Sequence, residues 1–425
     1  MPVLLNPLLA RWNSFDRNVR LHFFNVGLFT LTLDGGINTV IFNLFMLRLG
    51  FGPEWVGTVN AVGMLAFALA SLPVGRLGER WSYRRMVMVG AGLCVAGTLI
   101  AACAEFVPSA VQIIFMLAAV GLTNIGLASF FVNAMPYMVA FTNDGTRTSA
   151  FAIQSATGGV FAFAGSLIGG NLPSLVAKIS GASLQTALPY RFTLLLAPLL
   201  LLIALRLGFI MRDPPSAPSV QPSQTPSHQN PAKMFFWLIA FFAFIRFLQV
   251  ACIGGMSTFF NVYLDRELAA STANIGLVQA TTRLLGIPVA LFMPALSKKF
   301  GDVGVCIGAS LLTACCALPI AFAPTWWMAG IGYIGVGIFS TLRYSTFMVF
   351  SMERTPAHLR GSCNGAQEML AGLSFALVGL IGGALIAPLG YRFVFLSTAA
   401  ITALGTFILW VYVRRTSASV LPVRA

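Results

Sequence analysis

The stretch RTSAFAIQSATGGVFAFAGSLIGG (147–170) returns without a gap as RGSCNGAQEMLAGLSFALVGLIGG (360–383). Arg147/Arg360, Ser149/Ser362, Gln154/Gln367, Gly159/Gly372 and the four residues of LIGG are identical. Two shorter echoes keep the same order: GGINT (35–39) recurs as GGMST (254–258), and YRF (190–192) as YRF (391–393). Apolar sequence yields single matches by chance, but three in one order indicate an internal duplication. Between the copies lies the one long polar segment, DPPSAPSVQPSQTPSHQNPA (213–232). Its prolines, serines and glutamines cannot bury a core, so it reads as a linker. The chain then divides into an N-terminal segment (1–20), a first half (21–212), a linker (213–233), a second half (234–413) and a tail (414–425).

Composition sets the solvent in which these halves fold. Of 425 residues, 57% are hydrophobic and 9% charged, against about 25% charged in a soluble protein. Such a chain is expected to cross a membrane many times. Open sheets leave backbone groups unpaired in lipid, and the apolar runs lack the alternation of a barrel strand. The expected fold class is therefore all-α, with each span needing about 20 apolar residues. Spans are predicted near 21–47, 54–75, 86–104, 109–137, 150–171, 189–210, 234–262, 273–296, 303–322, 326–351, 361–387 and 391–413, six in each half. With the N-terminus placed in the cytoplasm, eighteen Lys/Arg fall on the cytoplasmic side and five outside, out of 26. This is the positive-inside pattern; it predicts that both termini and the linker are cytoplasmic and that the protein lies in a cell inner (plasma) membrane. The net charge of +14 then resides in short loops on one face. Lipid headgroups suffice as partners, and a nucleic-acid-binding reading fails.

The loop GRLGERWSYRR (75–85) resembles the signature of the major facilitator superfamily, G-x-L-x-D-R-x-G-R-R. Gly75, Leu77, Glu79 for the acid, Arg80, Arg84 and Arg85 match, whereas Ser82 stands where the family has Gly. The second-half loop PALSKKFGD (294–302) keeps Leu296, Lys299 and Gly301 but has Lys298 in the acid's place. The resemblance spans about the whole chain. It implies twelve helices as two six-helix pseudo-repeats, transport by alternating access, a monomer as the working unit, and a conformational latch made of Gly75, Glu79, Arg80 and Arg84. Gly75 is expected to let two helices approach closely, Glu79 to face a helix N-terminus, and Arg80 and Arg84 to bond carboxylates or carbonyls across the seam between the halves.

Five charges fall inside predicted spans: Asp34, Arg246, Arg283, Arg343 and Glu368. Each costs on the order of 2.5–3.5 kcal/mol near the bilayer centre by insertion scales, so each is expected to face a cavity or a partner. None has a charged counterpart in the other copy: Asp34 aligns with Ile253, Arg246 with Gly27, Arg283 with Met64 and Glu368 with Ser155. That favours roles particular to this protein. Arg343 and Glu368 sit at similar depth on adjacent antiparallel spans and are expected to pair. Asp34 stands near mid-depth in TLTLDGGIN (30–38), where Gly35 and Gly36 let the helix bend. It is read as a proton or substrate-cation site, with Glu368 second. Arg246, Arg283 and Arg343, able to hold a carboxylate or phosphate, and Asn38, Asn43, Gln249, Asn261, Gln279 and Tyr344 are candidate substrate contacts. For each of the polar residues a helix–helix hydrogen bond is the plainer alternative.

The seven cysteines lack ligand spacing and read as small core residues. No phosphate loop, catalytic triad, metal site or cofactor motif is found, so an enzyme is not expected. His22, His228 and His358 fall at a span edge, in the linker and in a loop. The resulting expectation is a proton-coupled secondary transporter of small organic compounds, exporting amphipathic or anionic substrates. An importer of a sugar, organic acid or other metabolite is the alternative, and a non-transporting membrane sensor or assembly partner is an alternative of another class. Export draws on a further resemblance, to the span-five motif G-x-x-x-G-P-x-x-G-G of drug–proton antiporters. GSLIGG (165–170) keeps Gly165, Gly169 and Gly170, while Ser166 replaces Pro, Phe161 replaces the outer Gly, and GLTNIG (121–126) lacks those antiporters' span-four Arg.

Overall fold

The computed structural model describes residues 15–142, 144–213, 231–356 and 359–418. All regular structure among them is helical. In chain order the helices are α1 (Arg17–Thr32), α2 (Ile37–Arg48), α3 (Pro53–Trp81), α4 (Tyr83–Cys103), α5 (Ser109–Ala140), α6 (Asp144–Ser180), α7 (Leu188–Ile210), α8 (Pro231–Gln249), α9 (Ala251–Arg266), α10 (Thr272–Ala321), α11 (Trp326–Glu353) and α12 (Arg360–Ala418). Nearly all of the linker, and with it His228, lies outside the described residues, as do His358 and most of the N-terminal segment and tail.

Two elements are too long for one crossing. Left-handed glycines interrupt them: Gly301 (φ 72°) in α10 and Gly390 (φ 78°) in α12. Both fall in the short gaps expected between spans eight and nine and between eleven and twelve. Conversely α1–α2 and α8–α9 are each one apolar pass broken once. Counted this way the helices are consistent with twelve crossings. Nine stretches among the described residues are long and apolar enough to cross a membrane. Residues 272–294 and α11, diluted by Gly, Ser, Thr and Arg, are not among them.

The helices sort into two compact units, Met1–Leu49 with Ala66–His228, and Gly50–Leu65 with Gln229–Ala425. In the first, Phe29 of α1, Val87 and Cys94 of α4, Phe130 of α5 and Leu201 of α7 form one buried cluster. In the second, Phe242 and Ile245 of α8, Cys306 of α10, Phe347 and Phe350 of α11, and Cys363 and Leu409 of α12 form another. Side chains such as Leu69, Leu72, Ile179 and Trp237 stand exposed, as lipid-facing residues must.

The start of α3 belongs to the second unit because of backbone contact. A Cβ on Gly379 of α12 would sit 3.0 Å from the Gly57 carbonyl, and one on Gly383 would sit 3.0 Å from the Pro53 carbonyl. Side chains at these positions would hold the two helices apart.

Candidate functional site

The first span does break where the acid lies. Residues 33–36 leave the helix between α1 and α2. Gly35 is left-handed (φ 85°), and at Gly36 any Cβ would collide with the carbonyls of Leu31 and Thr30. The freed backbone groups are then satisfied locally. Leu33 and Asp34 N–H both donate to the Phe29 carbonyl, at 2.8 and 3.2 Å. The Thr39 hydroxyl accepts from Gly35 N–H and donates to the Leu33 carbonyl, each at 3.0 Å.

Helix α6 is fitted to this break from outside. Gly165 allows its backbone to lie against it, since a Cβ there would meet the Leu31 carbonyl inside van der Waals distance and Gly36 Cα at 2.9 Å. One residue on, the buried Ser166 hydroxyl donates to the Gly35 carbonyl at 2.6 Å. A proline here could make no such bond. Serine at this position gives the broken segment a donor, a role the sequence reading did not anticipate. The equivalent glycines of the second copy, Gly254 and Gly255, remain helical within α9, and span seven is interrupted only at Val250. The same residues therefore break the backbone in one half and not in the other.

Asp34 itself is exposed and Asn38, in the first turn of α2, is half-buried, whereas Asn43 is buried. Its carboxylate makes none of the hydrogen bonds that satisfy the interrupted backbone around Gly35.

In the second unit Glu368 pairs with a different arginine from the one expected. Its carboxylate lies 3.7 Å from Arg246 Nη2, and the guanidinium stacks 4.5 Å from the centre of the Tyr344 ring. Arg246 is buried, while Glu368 (43% side-chain exposure) and Tyr344 are exposed. Arg343, adjacent to Tyr344 in sequence, is 2% exposed and lies near the Arg246 guanidinium, with no carboxylate at ion-pair distance among the described residues. Equal depth on neighbouring spans did not produce a pair because helical rotation aims consecutive side chains about 100° apart. Arg246 and Gln249, one turn apart on α8, supply the remaining polar face; Gln249 is fully buried.

Asn261, Gln279 and Tyr333 form a chain of their own. Tyr333 Oη donates to Gln279 Oε1 and Gln279 Nε2 to Asn261 Oδ1, both at 2.9 Å, and all three are buried. The chain ties α9, α10 and α11 together. Arg283, half-buried, lies within electrostatic range of Tyr333.

At the α3–α4 loop Arg84 bonds to the end of α7. Its Nε and Nη2 donate to the Gly208 and Phe209 carbonyls at 3.0 and 2.9 Å, and its Nη1 to the Asp213 carboxylate at 3.0 Å. The end of α7 leaves carbonyls without intrahelical partners and carries partial negative charge, so a guanidinium fork settles there. Ser82 has φ 147°, a conformation that suits glycine, the residue the family signature has there. Its hydroxyl donates to Asp213 as well. These donors, Ser82 first and then Arg84, hold the Asp213 carboxyl below its ordinary value of 3.8. Gly75 is not the point of closest approach. A Cβ there would find Val132 at 3.4 Å, whereas at Gly78 it would overlap the side-chain oxygen of Asn133. Asn133 Nδ2 in turn donates to the Val74 and Ser129 carbonyls. Glu79 and Arg80 are exposed.

Comparison with known proteins gives these features a family. The model of the Major Facilitator Superfamily matches residues 24–378 and again 242–424. The chain is 23% identical over 335 residues to a "Glucose/galactose transporter" of Brucella abortus biovar 1, covering 78% of this chain and 79% of the relative. It is 24% identical over 377 residues to "Multidrug resistance protein MdtG" of Dickeya zeae, covering 85% of each. Among solved structures, the POT family transporter PepTSo superimposes with a TM-score of 0.75 at 12% identity, covering 95% of this chain and 99% of that one. The nucleoside transporter NupG does so with a TM-score of 0.71 at 14% identity, covering 93% and 99%. With a family model matched along almost its full length, a duplicated helical fold and this loop signature, the chain belongs to the Major Facilitator Superfamily and is a multi-pass membrane transporter of small molecules.

Proposed function

We propose that this transporter couples the movement of protons to export of small amphipathic or anionic organic compounds by alternating access of its two halves. The observation that carries the reading is the interrupted first span, with an exposed Asp34 on a backbone whose polar groups are already satisfied. Asp34 is the proton site. It is ionised when wetted and neutral when closed off, because a carboxylate moved away from water favours its protonated form. Glu368 is the second site. Its exposed carboxylate holds Arg246 against Tyr344, so protonation there frees a guanidinium for an anionic group. Arg283, Tyr344 and Asn38 are the accessible or partly accessible substrate contacts, with Arg246, Arg343, Asn43, Gln249, Asn261 and Gln279 behind them. Gly75, Glu79, Arg80 and Arg84 serve the latch, Arg84 by fastening α4 to the end of α7. The protein works as a monomer in the inner membrane with both termini in the cytoplasm.

The likeness to a multidrug resistance protein supports export, and the glycines of α6 agree with it. The likeness to a glucose/galactose transporter supports the second reading, import of a sugar. The test uses purified protein in proteoliposomes loaded with a pH-sensitive dye under an imposed pH gradient. Amphipathic anions, amphipathic cations and glucose are each added outside in turn. One class should discharge the gradient, and Asp34→Asn should abolish that discharge while keeping the wild-type elution profile. Undiminished proton-driven transport in Asp34→Asn refutes the coupling role. Counterflow of labelled glucose in preference to amphipathic compounds selects the second reading.

A further inference from the structure

The second unit buries more positive charge than its own carboxylates neutralise. Arg343 of α11 is 2% exposed, Arg246 of α8 6%, and Gln249 of α8 0%. Arg246 has Glu368 at 3.7 Å, whereas Arg343 has no carboxylate within ion-pair distance among the described residues. Its neighbours are the Arg246 guanidinium and the thiols of Cys252 and Cys306. Nε and Nη1 of Arg343 and Nε and Nη1 of Arg246 are buried without a hydrogen-bond partner, and the buried Gln249 amide reaches only the Cys306 thiol. Gln249 faces Cys306, the same thiol that Arg343 faces, so these groups converge from α8 and α11 on the Cys306 turn of α10. Two guanidiniums against one carboxylate leave one positive charge in an apolar setting lined by Phe242, Phe347 and Phe350.

An uncompensated buried charge is among the most destabilising features a protein interior can hold, and each unmade hydrogen bond adds to it. Neutral thiols relieve neither. We propose that Arg343, Gln249 and Arg246 form a binding site for one small monovalent anion, held by one of the unpartnered N–H groups of Arg343 together with the Gln249 amide. A single negative charge closes the balance. Nε–H and Nη1–H point to opposite sides of the guanidinium, so one charged N–H donor meets the anion, which suits either a halide or one oxygen of a small carboxylate. Phosphate would bring a second charge and three more acceptors, for which no donors are at hand. The site is distinct from Asp34 and does not depend on proton coupling.

The test uses full-length protein in detergent at pH 7 and constant ionic strength, with sodium gluconate replaced stepwise by sodium chloride, bromide or formate. The thermal midpoint should rise and saturate as the small anion replaces gluconate. A response to chloride and bromide alone assigns an inorganic anion, and a response to formate alone assigns a carboxylate; both support the site. Arg343→Met removes the charge that demands the anion. Its midpoint should be independent of the anion and no lower than that of wild type in gluconate. Arg343→Lys keeps the charge but withdraws the guanidinium N–H groups, and should need at least ten-fold more anion for half the effect. Asp34→Asn should respond as wild type does, so this site and the proton site fail separately. A wild-type midpoint equal in gluconate, chloride and formate overturns the proposal, as does an anion response that survives in Arg343→Met.

Discussion

Gly165→Ala tests whether α6 is fitted to the break in the first span. The added methyl would lie 2.9 Å from Gly36 Cα and closer still to the Leu31 carbonyl, against about 3.5–4.0 Å for carbon atoms in ordinary contact. Both obstacles are backbone, and the Leu31 carbonyl is the nearer, so the two segments must part by about 1 Å or more. Overpacking of this kind costs about 1–3 kcal/mol. Alanine also gains about 0.8–1 kcal/mol over glycine in a helix, which masks part of the loss. Gly158→Ala, two turns earlier on α6, supplies the control: its Cβ would find Thr30 Cγ2 at 3.6 Å, so it takes the helical gain without the collision. The difference between the variants isolates the contact and should be about 1–3 kcal/mol. Thermal unfolding of the purified proteins, followed by far-UV circular dichroism, should place Gly158→Ala at or above wild type and Gly165→Ala below it. Proton-coupled transport should be lost in Gly165→Ala alone. A Gly165→Ala midpoint equal to or above that of Gly158→Ala would show that α6 is not seated on the break.

Ser166→Ala removes a buried donor and leaves the Gly35 carbonyl short of a partner. It should cost about 1–2 kcal/mol of stability, read from the same unfolding curves. At the α7 terminus, the lowered Asp213 carboxyl stabilises the fold above its ordinary value and stops doing so as the pH falls through the lowered one. Between pH 6 and 3 wild type should therefore shed a contribution that Asp213→Asn lacks, seen as converging thermal midpoints. Ser82→Gly relieves the φ of 147° and gives up one exposed hydrogen bond. It should be up to about 1 kcal/mol more stable at pH 7, with a smaller acid loss that is complete at a higher pH because the Ser82 donor is gone. Gly57→Val drives a branched side chain into the backbone of Gly379 and should destabilise the second unit by about 1–3 kcal/mol, measurable as an earlier onset of unfolding.

The architecture was legible because it follows from quantities that the chain carries locally. Apolar run length, loop charge and the repeat of LIGG require no knowledge of three-dimensional neighbours. The break at Asp34–Gly36 was legible for the same reason, since two successive glycines beside a mid-membrane acid mark a weak point in any helix. What could not be read was direction. Arg343 and Tyr344 are consecutive, yet one is buried and the other lies against Arg246, and no periodicity separates them in a helix that mixes Gly, Ser and Thr on every face. Glu368 was assigned the arginine nearer in sequence, 25 residues away, when its partner comes from the first helix of the half. Arg84 likewise finds carbonyls more than 120 residues further on. Gly78 was passed over for Gly75 because the signature names the latter, while the close approach depends on Asn133, which no motif marks. Ser82 was noted as a departure, but its backbone angle, the reason the departure matters, is invisible in a sequence.

Thr39 fastens the interrupted first span from inside, and Ser166 fastens it from α6. A swivel needs backbone free to rotate, and here the donors and acceptors on either side of Gly35 are already committed. The joint is a weld, and α1, α2 and α6 form a single lever. Any displacement of Asp34 must carry the fifth span with it.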